Sequence, residues 1–246
     1  MNKFMDNNTN KTHEKIEEIK KLESKPKVLK SVFSQTEINE FLDLYKKLPT
    51  TVHNKKQNVI KKRWLKNFNK NLENKFTERL TSQIGKFKLD NLKTETGEDN
   101  LGLFQESYNP IGLHVDAGFN SKEIIYKQTL IPLTSVGSTV IFKNKFYGNS
   151  TNFTLDESEL GKTKLGYGQN IRSKEHLSMY DKKPFSETDF KKYLKHERID
   201  NLAGLEIELV YEWEIGSMLI FDRTNLHCSS DKIEGKKIGL TTFTKK

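Results

Sequence analysis

The sequence has a single cysteine in 246 residues, and this scarcity excludes two kinds of site. Cys228 has no partner for a disulfide within the chain, and it cannot form a cysteine-rich zinc site by itself. The chain also has no apolar run near the ~18 residues that a membrane span needs, and its first residues lack the apolar segment of a signal peptide. These absences predict a soluble, cytoplasmic protein that makes no membrane contact.

Arginine is scarce in a chain that is otherwise strongly basic. The formal net charge is +9, yet only five of the 42 basic residues are arginine. Arginine is the side chain that best forms paired hydrogen bonds to phosphates and base edges. The charge therefore favours a lysine-rich, solvated surface, although a nucleic-acid partner stays open.

The first part of the chain predicts helices. Residues 1–25 are polar and rich in Asn and Lys, and they predict either a mobile arm or a poorly packed first helix ahead of one domain over 26–246. In "SQTEINEFLDLYKKLP", Ser34 and Glu37 form a capping box before apolar residues at helical spacing. A second helix is predicted over about 71–86.

From about residue 100 the hydrophobic period changes from 3.6 to 2. The short apolar runs are "LGLFQESY", "IIYKQTLIPL", "STVIFK", "IELVYEW", "SMLIFD" and "KIGLTTFT". Such strands without long helices between them predict a sandwich or barrel, not a parallel α/β sheet. An irregular polar insertion, about 144–201, interrupts them, and its length predicts a lid or a binding segment.

One set of residues in this β-rich region has the spacing of a metal site. His114 and Asp116 in "NPIGLHVDAG" could by themselves be an ordinary polar turn, but His227 follows a predicted strand far downstream. Two neutral imidazoles and a carboxylate can occupy one face of an octahedral ferrous ion, leaving three positions for a bidentate keto acid and dioxygen. Lys237 at the start of the last strand can pair with the far carboxylate of the keto acid, and the adjacent Lys236 is the competing candidate.

In these segments the chain resembles the iron(II)/2-oxoglutarate-dependent dioxygenases, closest to their prolyl-hydroxylase-like and phytanoyl-type branches. The resemblance covers roughly Leu101 to Phe243 without the insertion. "SYNPIGLHVDAG" is similar to the tyrosine, glycine turn and H-x-D of the family, and "GSTVIF" to a following core strand. "GSMLIFDRTNLHCSS" is similar to the strand leading to the distal histidine, and "KKIGLTTF" to the strand that carries the cationic partner of the cosubstrate. The chain departs from the family where Lys237 is followed by Gly239, since arginine followed two residues later by serine or threonine is commoner there.

The resemblance implies a fold and a metal. The expected fold is α+β, with a double-stranded β-helix (jelly-roll, cupin-like) core, N-terminal helices packed on it and a long lid insertion. The expected ligands of Fe(II) are His114, Asp116 and His227, and the expected cosubstrates are 2-oxoglutarate and O2.

The resemblance also implies residues that bind 2-oxoglutarate. Lys237 would pair with its carboxylate, and Tyr108 would either donate a hydrogen bond to it or be a plain strand aromatic. Gln128 and Thr139 lie on strands expected to line the cavity, where they would contact the cosubstrate or satisfy polar groups of the core.

The implied reaction is hydroxylation of an unidentified small molecule, such as an amino acid, or of a peptidyl side chain, with release of succinate and CO2. Asp116 argues against halogenation, because halogenating relatives replace this carboxylate with a small residue; desaturation and demethylation stay open. Two alternatives also stay open. A nucleic-acid-base-modifying member of the family is supported by the charge and by "KKRWLK" with Trp64, and a non-catalytic metal-binding β-barrel is the other. Arg172 and His176 lie in the insertion, where substrate contacts are expected.

Overall fold

The structure is a computed structural model that describes residues 3–55, 58–90, 92, 97–117, 123–154, 168–171, 183–231 and 233–246, with the backbone alone for 3–11, 154 and 168–171. The helices are α1 (Lys3–Leu22), α2 (Gln35–Lys47), α3 (Lys70–Ile84), α4 (Glu187–Tyr193) and a short 3-10 helix (Ile199–Leu202). The first seven strands are β1 (Lys27–Leu29), β2 (Val52–Asn54), β3 (Val59–Leu65), β4 (Lys88–Leu89), β5 (Asn100–Ser107), β6 (His114–Val115) and β7 (Ile125–Pro132). The others are β8 (Ser138–Lys145), β9 (Thr151–Thr154), β10 (Gly168–Ile171), β11 (Ile207–Glu212), β12 (Met218–Asp222), β13 (Asn225–Ser229) and β14 (Lys237–Lys245).

The strands form two sheets that face each other. The large sheet has the order β1-β12-β7-β14-β5-β3-β2, with β4 on β14, and the small sheet has the order β10-β9-β6-β13-β8-β11. Along the chain, strands β5, β7, β12 and β14 of the large sheet alternate with β6, β8, β11 and β13 of the small sheet, except that β8 and β11 follow one another in the small sheet. This alternation is the double-stranded β-helix that the sequence predicts.

Helices α2 and α3 cover the outer face of the large sheet. The capping box of α2 is present, with the Ser34 hydroxyl accepting from the backbone N–H of Glu37. Phe41 and Phe76 from the helices pack on Trp64 of β3, with ring centroids 5.8 Å and 5.1 Å from it. All three rings are essentially fully buried. The outer face of the large sheet is thus covered by close apolar packing. Its inner face lines the cavity between the two sheets.

The first residues form a helix that is anchored at its C-terminal end. Ile19 is 3% exposed. The ammonium group of Lys127 donates to the Leu22 carbonyl and to the Ser24 hydroxyl, and the Ser24 N–H donates to Asp222. Residues 3–22 thus form a helix in the structure, while a boundary between a polar arm and the domain near residue 25 stays a prediction. No helix in the described part of the chain combines the length and apolarity needed to cross a membrane.

The described parts of the insertion belong to the small sheet and its outer layer. Strand β9 pairs with β6, and β10 runs parallel to β9. The apolar side chains of this region pack against the outer face of the small sheet; they are Phe153, Phe185, Leu194 and Leu202. These parts of the predicted insertion 144–201 therefore belong to the fold itself, and a role of the insertion as a lid stays a prediction. Residues 155–167 and 172–182, with Arg172 and His176, lie outside the described residues.

Candidate metal centre

Two neighbouring strands of the small sheet bring the two histidines together. His114 on β6 and His227 on β13 are direct partners in an antiparallel pair, and their ring centroids are 4.1 Å apart. Asp116 lies two residues after His114, and this spacing puts both side chains on one face of an extended chain. The Asp116 Oδ2 atom is 3.8 Å from His114 Nε2 and 3.4 Å from His227 Nε2. The donor atoms of the three side chains all lie within 4.8 Å of one another.

Backbone carbonyls fix the orientation of both imidazoles. His114 Nδ1 is 2.7 Å from the Gly112 carbonyl oxygen, and His227 Nδ1 is 3.0 Å from that of Asn225. A carbonyl oxygen can only accept a hydrogen bond, so each Nδ1 carries the proton. Each Nε2 therefore presents its lone pair to the common centre, as metal-binding histidines do.

The charge states of His114 and Asp116 suit a divalent cation. Burial lowers the pKa of His114 to about 4, with a further contribution from His227, so this imidazole is neutral at physiological pH. Burial alone would raise the pKa of the Asp116 carboxyl, but the two neighbouring histidines, His227 more than His114, outweigh this effect, and the pKa is lowered. Gln128 Nε2 donates to Asp116 Oδ2 at 3.0 Å, whereas the buried Oδ1 atom has no hydrogen-bond partner among the described residues. A buried carboxylate oxygen without a partner is costly, and a metal ion would satisfy it.

The centre lies in a cavity that also contains Lys237. Lys237, Gly239, Thr241 and Phe243, alternate residues of β14, all line this cavity with the three candidate ligands. The Lys237 side chain is 2% exposed, and its ammonium group donates to the Ser138 carbonyl at 2.9 Å. Burial lowers the pKa of Lys237 to about 7. The lysine is therefore placed to receive an anion inside the cavity.

Trp213 explains why glycine occupies position 239. A Cβ atom at Gly239 would lie 2.7 Å from Cη2 of the Trp213 indole, so any larger residue would displace this ring. The indole N–H donates to the Thr139 hydroxyl at 3.0 Å, and the Lys237 ammonium lies 4.2 Å from the ring centroid. The tryptophan thus occupies the space that a side chain at position 239 would need, and it contacts the Lys237 ammonium in a cation–π interaction.

Of the remaining predicted residues, two line the cavity and two lie on the outer side of the large sheet. Gln128 and Thr139 line the cavity, and each already makes a hydrogen bond within the protein. The expectation for Tyr108 is corrected: it is 37% exposed, its hydroxyl donates to Glu106, and it does not line the cavity. Lys236 also lies on the outer side, where it forms an ion pair with Glu106 at 2.6 Å.

Four residues at the site went unnoticed in the sequence. Lys61, Asn152 and Trp213 line the cavity. Glu197 accepts a hydrogen bond from the backbone N–H of Leu113, the residue before His114, so it holds the turn that leads into the centre. The local sequence around these four residues did not indicate a role at the site, because each reaches the site through contacts with segments far away in the chain.

The comparisons with known proteins bear on the fold. No family model matches this chain, and no curated protein matches it. Among solved structures, the non-heme alpha ketoglutarate dependent epimerase SnoN from nogalamycin biosynthesis has a TM-score of 0.50 at 7% identity, over 92% of this chain and 81% of that one. HygX from Streptomyces hygroscopicus, solved with nickel and 2-oxoglutarate, has a TM-score of 0.49 at 12% identity, over 90% and 82%.

A 2OG-Fe(II) oxygenase family oxidoreductase from Burkholderia pseudomallei has a TM-score of 0.47 at 10% identity, over 95% of this chain and 89% of that one. At such low identities, likeness in structure is evidence of a common fold and does not extend to substrates. This chain therefore shares the jelly-roll fold of the iron- and 2-oxoglutarate-dependent oxygenases.

Proposed function

We propose that this chain is an Fe(II)- and 2-oxoglutarate-dependent dioxygenase that hydroxylates a small molecule or a peptidyl side chain. The observation that carries the proposal is one cavity that holds two imidazoles, one carboxylate and, apart from them, a buried lysine. When bound, ferrous iron would supply the oxidising chemistry that couples decarboxylation of 2-oxoglutarate to oxidation of the substrate, with release of succinate and CO2.

Different residues of the cavity would bind the metal and 2-oxoglutarate. His114, Asp116 and His227 would hold the metal on one face, and the other face would stay open to ligands. Lys237 would bind the far carboxylate of 2-oxoglutarate as a buried ammonium. Gln128 would hold the Asp116 carboxylate in place through the 3.0 Å hydrogen bond.

Two measurements test the proposal on single variants. His114→Ala, Asp116→Ala and His227→Ala should each abolish succinate formation from 2-oxoglutarate and weaken Co(II) binding, followed by its visible absorption, at least 100-fold. His53→Ala is the matched control, because His53 is exposed on β2 and should leave both unchanged. Full activity in the His227 variant would refute this assignment of ligands, and wild-type protein that binds metal but never turns over 2-oxoglutarate would favour a non-catalytic binding module.

The nucleic-acid alternative loses part of its support in the structure. Trp64 from "KKRWLK" is fully buried among the rings of α2 and α3, so it cannot stack on a base. Lys61 from the same stretch is also buried, with 8% of its surface exposed. A screen of candidate substrates by mass spectrometry for the gain of one oxygen atom would identify the substrate of the proposed hydroxylase.

A further inference from the structure

The chain leaves its sheet at the carboxylate ligand of the candidate centre. Strand β6 consists of His114 and Val115, and these two residues form its described pairs with β13 and β9. Asp116 is the next residue, so its backbone lies beyond the ladder that positions His114. A ligand at the end of so short a strand needs another contact to hold its backbone in place.

Arg223 makes that contact from the turn between β12 and β13. Its Nε–H donates to the Asp116 carbonyl oxygen at 3.2 Å. Asn225 follows the same turn, and its carbonyl oxygen accepts from His227 Nδ1. Two of the three candidate ligands are thus held from one turn, Asp116 through its backbone and His227 through its imidazole.

The guanidinium group of Arg223 is held in turn by several partners inside the protein. Arg223 is 2% exposed, and its Nη1 atom donates to the Asp90 carboxylate at 2.8 Å and to the Thr244 carbonyl at 3.3 Å. Its Cζ atom lies 5.2 Å from the ring centroid of Phe243, which lines the cavity. A planar guanidinium group with these fixed partners has little freedom to move, so it is a firm support for the Asp116 carbonyl.

The charge of Arg223 has its counter-charge in Asp90. Burial alone would raise the pKa of the Asp90 carboxyl, but the charge of Arg223 and a hydrogen bond from the Leu92 N–H outweigh this effect, and the pKa is lowered. Asp90 is therefore ionised at physiological pH and forms a buried ion pair with Arg223. Apolar residues can often replace such a pair without loss of stability, so stability alone does not account for this pair beside the centre.

We propose that Arg223 is a positioning residue of the metal centre, which holds the backbone of Asp116 so that the carboxylate stays directed at the metal. The inference rests on the metal site of the proposed function and deepens it. Loss of a residue that supports a metal ligand typically weakens metal binding by about 10- to 100-fold. Arg223 should therefore affect the metal, whereas binding of 2-oxoglutarate should depend on Lys237.

The test compares Arg223→Lys with Arg79→Lys. Lysine keeps the positive charge and lacks the Nε–H group and the planar fork. Arg79 is the matched control, because it also contacts a carboxylate and a backbone carbonyl, those of Glu37 and Val32, but lies on α3 at the outer face of the large sheet. Co(II) binding is followed by its visible absorption, and the Tm of both variants is measured without metal.

The two variants should differ in the metal centre. Arg223→Lys should raise the dissociation constant of Co(II) about tenfold or more and change the absorption spectrum of the fully loaded protein. With saturating metal, its Michaelis constant for 2-oxoglutarate should stay close to that of the wild type. Arg79→Lys should keep the wild-type Co(II) affinity and spectrum, even where it lowers the Tm of the metal-free protein by as much.

A double variant covers the case in which Arg223→Lys does not fold. Asp90→Asn combined with Arg223→Gln removes both charges together, so neither is left buried without its partner. Lys245, the other cation beside Asp90, keeps its ion pair with Glu123. The double variant should also weaken Co(II) binding about tenfold or more.

Each other outcome has a definite meaning. Wild-type Co(II) affinity and spectrum in Arg223→Lys, or in the double variant, would overturn the inference and leave the proposed function standing. An equal loss of Co(II) affinity in Arg79→Lys would also overturn it, because the loss would then follow from general destabilisation. Wild-type protein that binds no Co(II) would instead refute the proposed function.

Discussion

Both imidazoles of the candidate centre donate to the backbone carbonyl two residues earlier in the chain, Gly112 for His114 and Asn225 for His227. This local contact sets the tautomer before any metal binds, because the carbonyl can only accept. The donor atoms of the centre are thus preorganised by their own strands. Binding of 2-oxoglutarate in the cavity should likewise depend on one side chain, that of Lys237 at the start of β14.

Among the residues that line the cavity without binding the metal, Lys237 should contribute most to the binding of 2-oxoglutarate. Lys237→Met keeps the bulk of the side chain and removes the charge, and losing one member of a buried charge pair costs about 2 to 5 kcal/mol. We expect the Michaelis constant for 2-oxoglutarate to rise by about one to two orders of magnitude, because contacts with the metal remain, while metal affinity barely changes.

Lys236→Met is the control for this variant. Its ammonium pairs with Glu106 on the outer side and its side chain is 48% exposed, so the change should affect 2-oxoglutarate little. Steady-state kinetics of both variants check the prediction. A larger effect at position 236 than at 237 would contradict the assignment of the inward-facing lysine.

The affinity for 2-oxoglutarate should also depend on pH. Because burial lowers the pKa of Lys237 to about 7, the free protein has a charged lysine below pH 7 and loses the charge as the pH rises above it. Binding of the anion requires the charged form, so the dissociation constant should increase about tenfold per pH unit between pH 7 and pH 9.

Calorimetry at several pH values would measure this dependence. Lys237→Arg keeps the charge throughout, since the guanidinium group stays protonated, and it should flatten the profile. A wild-type affinity that is constant from pH 6 to pH 9 would contradict the prediction.

At the scale of elements, the insertion supports the metal centre. Strand β9 places Asn152 opposite His114. Glu197, between α4 and the 3-10 helix, accepts from the Leu113 N–H and from the Asn201 side chain. A Cβ atom at Gly112 would lie 2.9 Å from the Glu197 carboxylate, so glycine permits this close approach.

Removing the Glu197 carboxylate should therefore loosen the turn before His114. We expect Glu197→Ala to weaken metal binding about tenfold, the lower end of the range for residues that support metal ligands. Glu187→Ala is the matched control, since Glu187 forms an exposed ion pair with Lys191 on α4. Co(II) titrations of both variants measure the effect, and equal affinities would mean that the turn keeps its shape without Glu197.

At the scale of the whole molecule, metal binding should stabilise the fold. The ligands come from β6, β13 and the residue after β6, so an unfolded chain does not offer them together. A metal present at 100 times its dissociation constant adds about 2.7 kcal/mol to the free energy of unfolding. For a chain of this size, each kcal/mol raises Tm by about 2 to 4 °C.

We therefore expect removal of the metal by EDTA to lower Tm by about 5 to 10 °C. Differential scanning calorimetry with and without Mn(II) measures the shift. Asp116→Ala should have the same Tm in both conditions, and a metal-dependent shift of wild-type size in this variant would place the stabilising ion elsewhere.

The sequence by itself determined the features that depend on neighbours along the chain. Three features follow from local geometry. They are the capping box at Ser34 and Glu37, the H-x-D spacing, and the common strand face of Lys237, Gly239 and Thr241. The period of two after residue 100 predicted a sandwich or barrel, because strands with one buried face alternate. The jelly-roll core was what the family resemblance implied.

Only the tertiary structure decided which faces meet. Lys61 belongs to the basic stretch "KKRWLK", which supported a nucleic-acid partner in the sequence, since an inner face that lines a polar cavity has the same composition as a surface. Tyr108 lies on the outward face of the chain after β5, and sequence alone does not say which face of a strand meets the cavity. Asn152 reaches the centre by pairing with β6, and such a long-range contact leaves no local pattern in the chain.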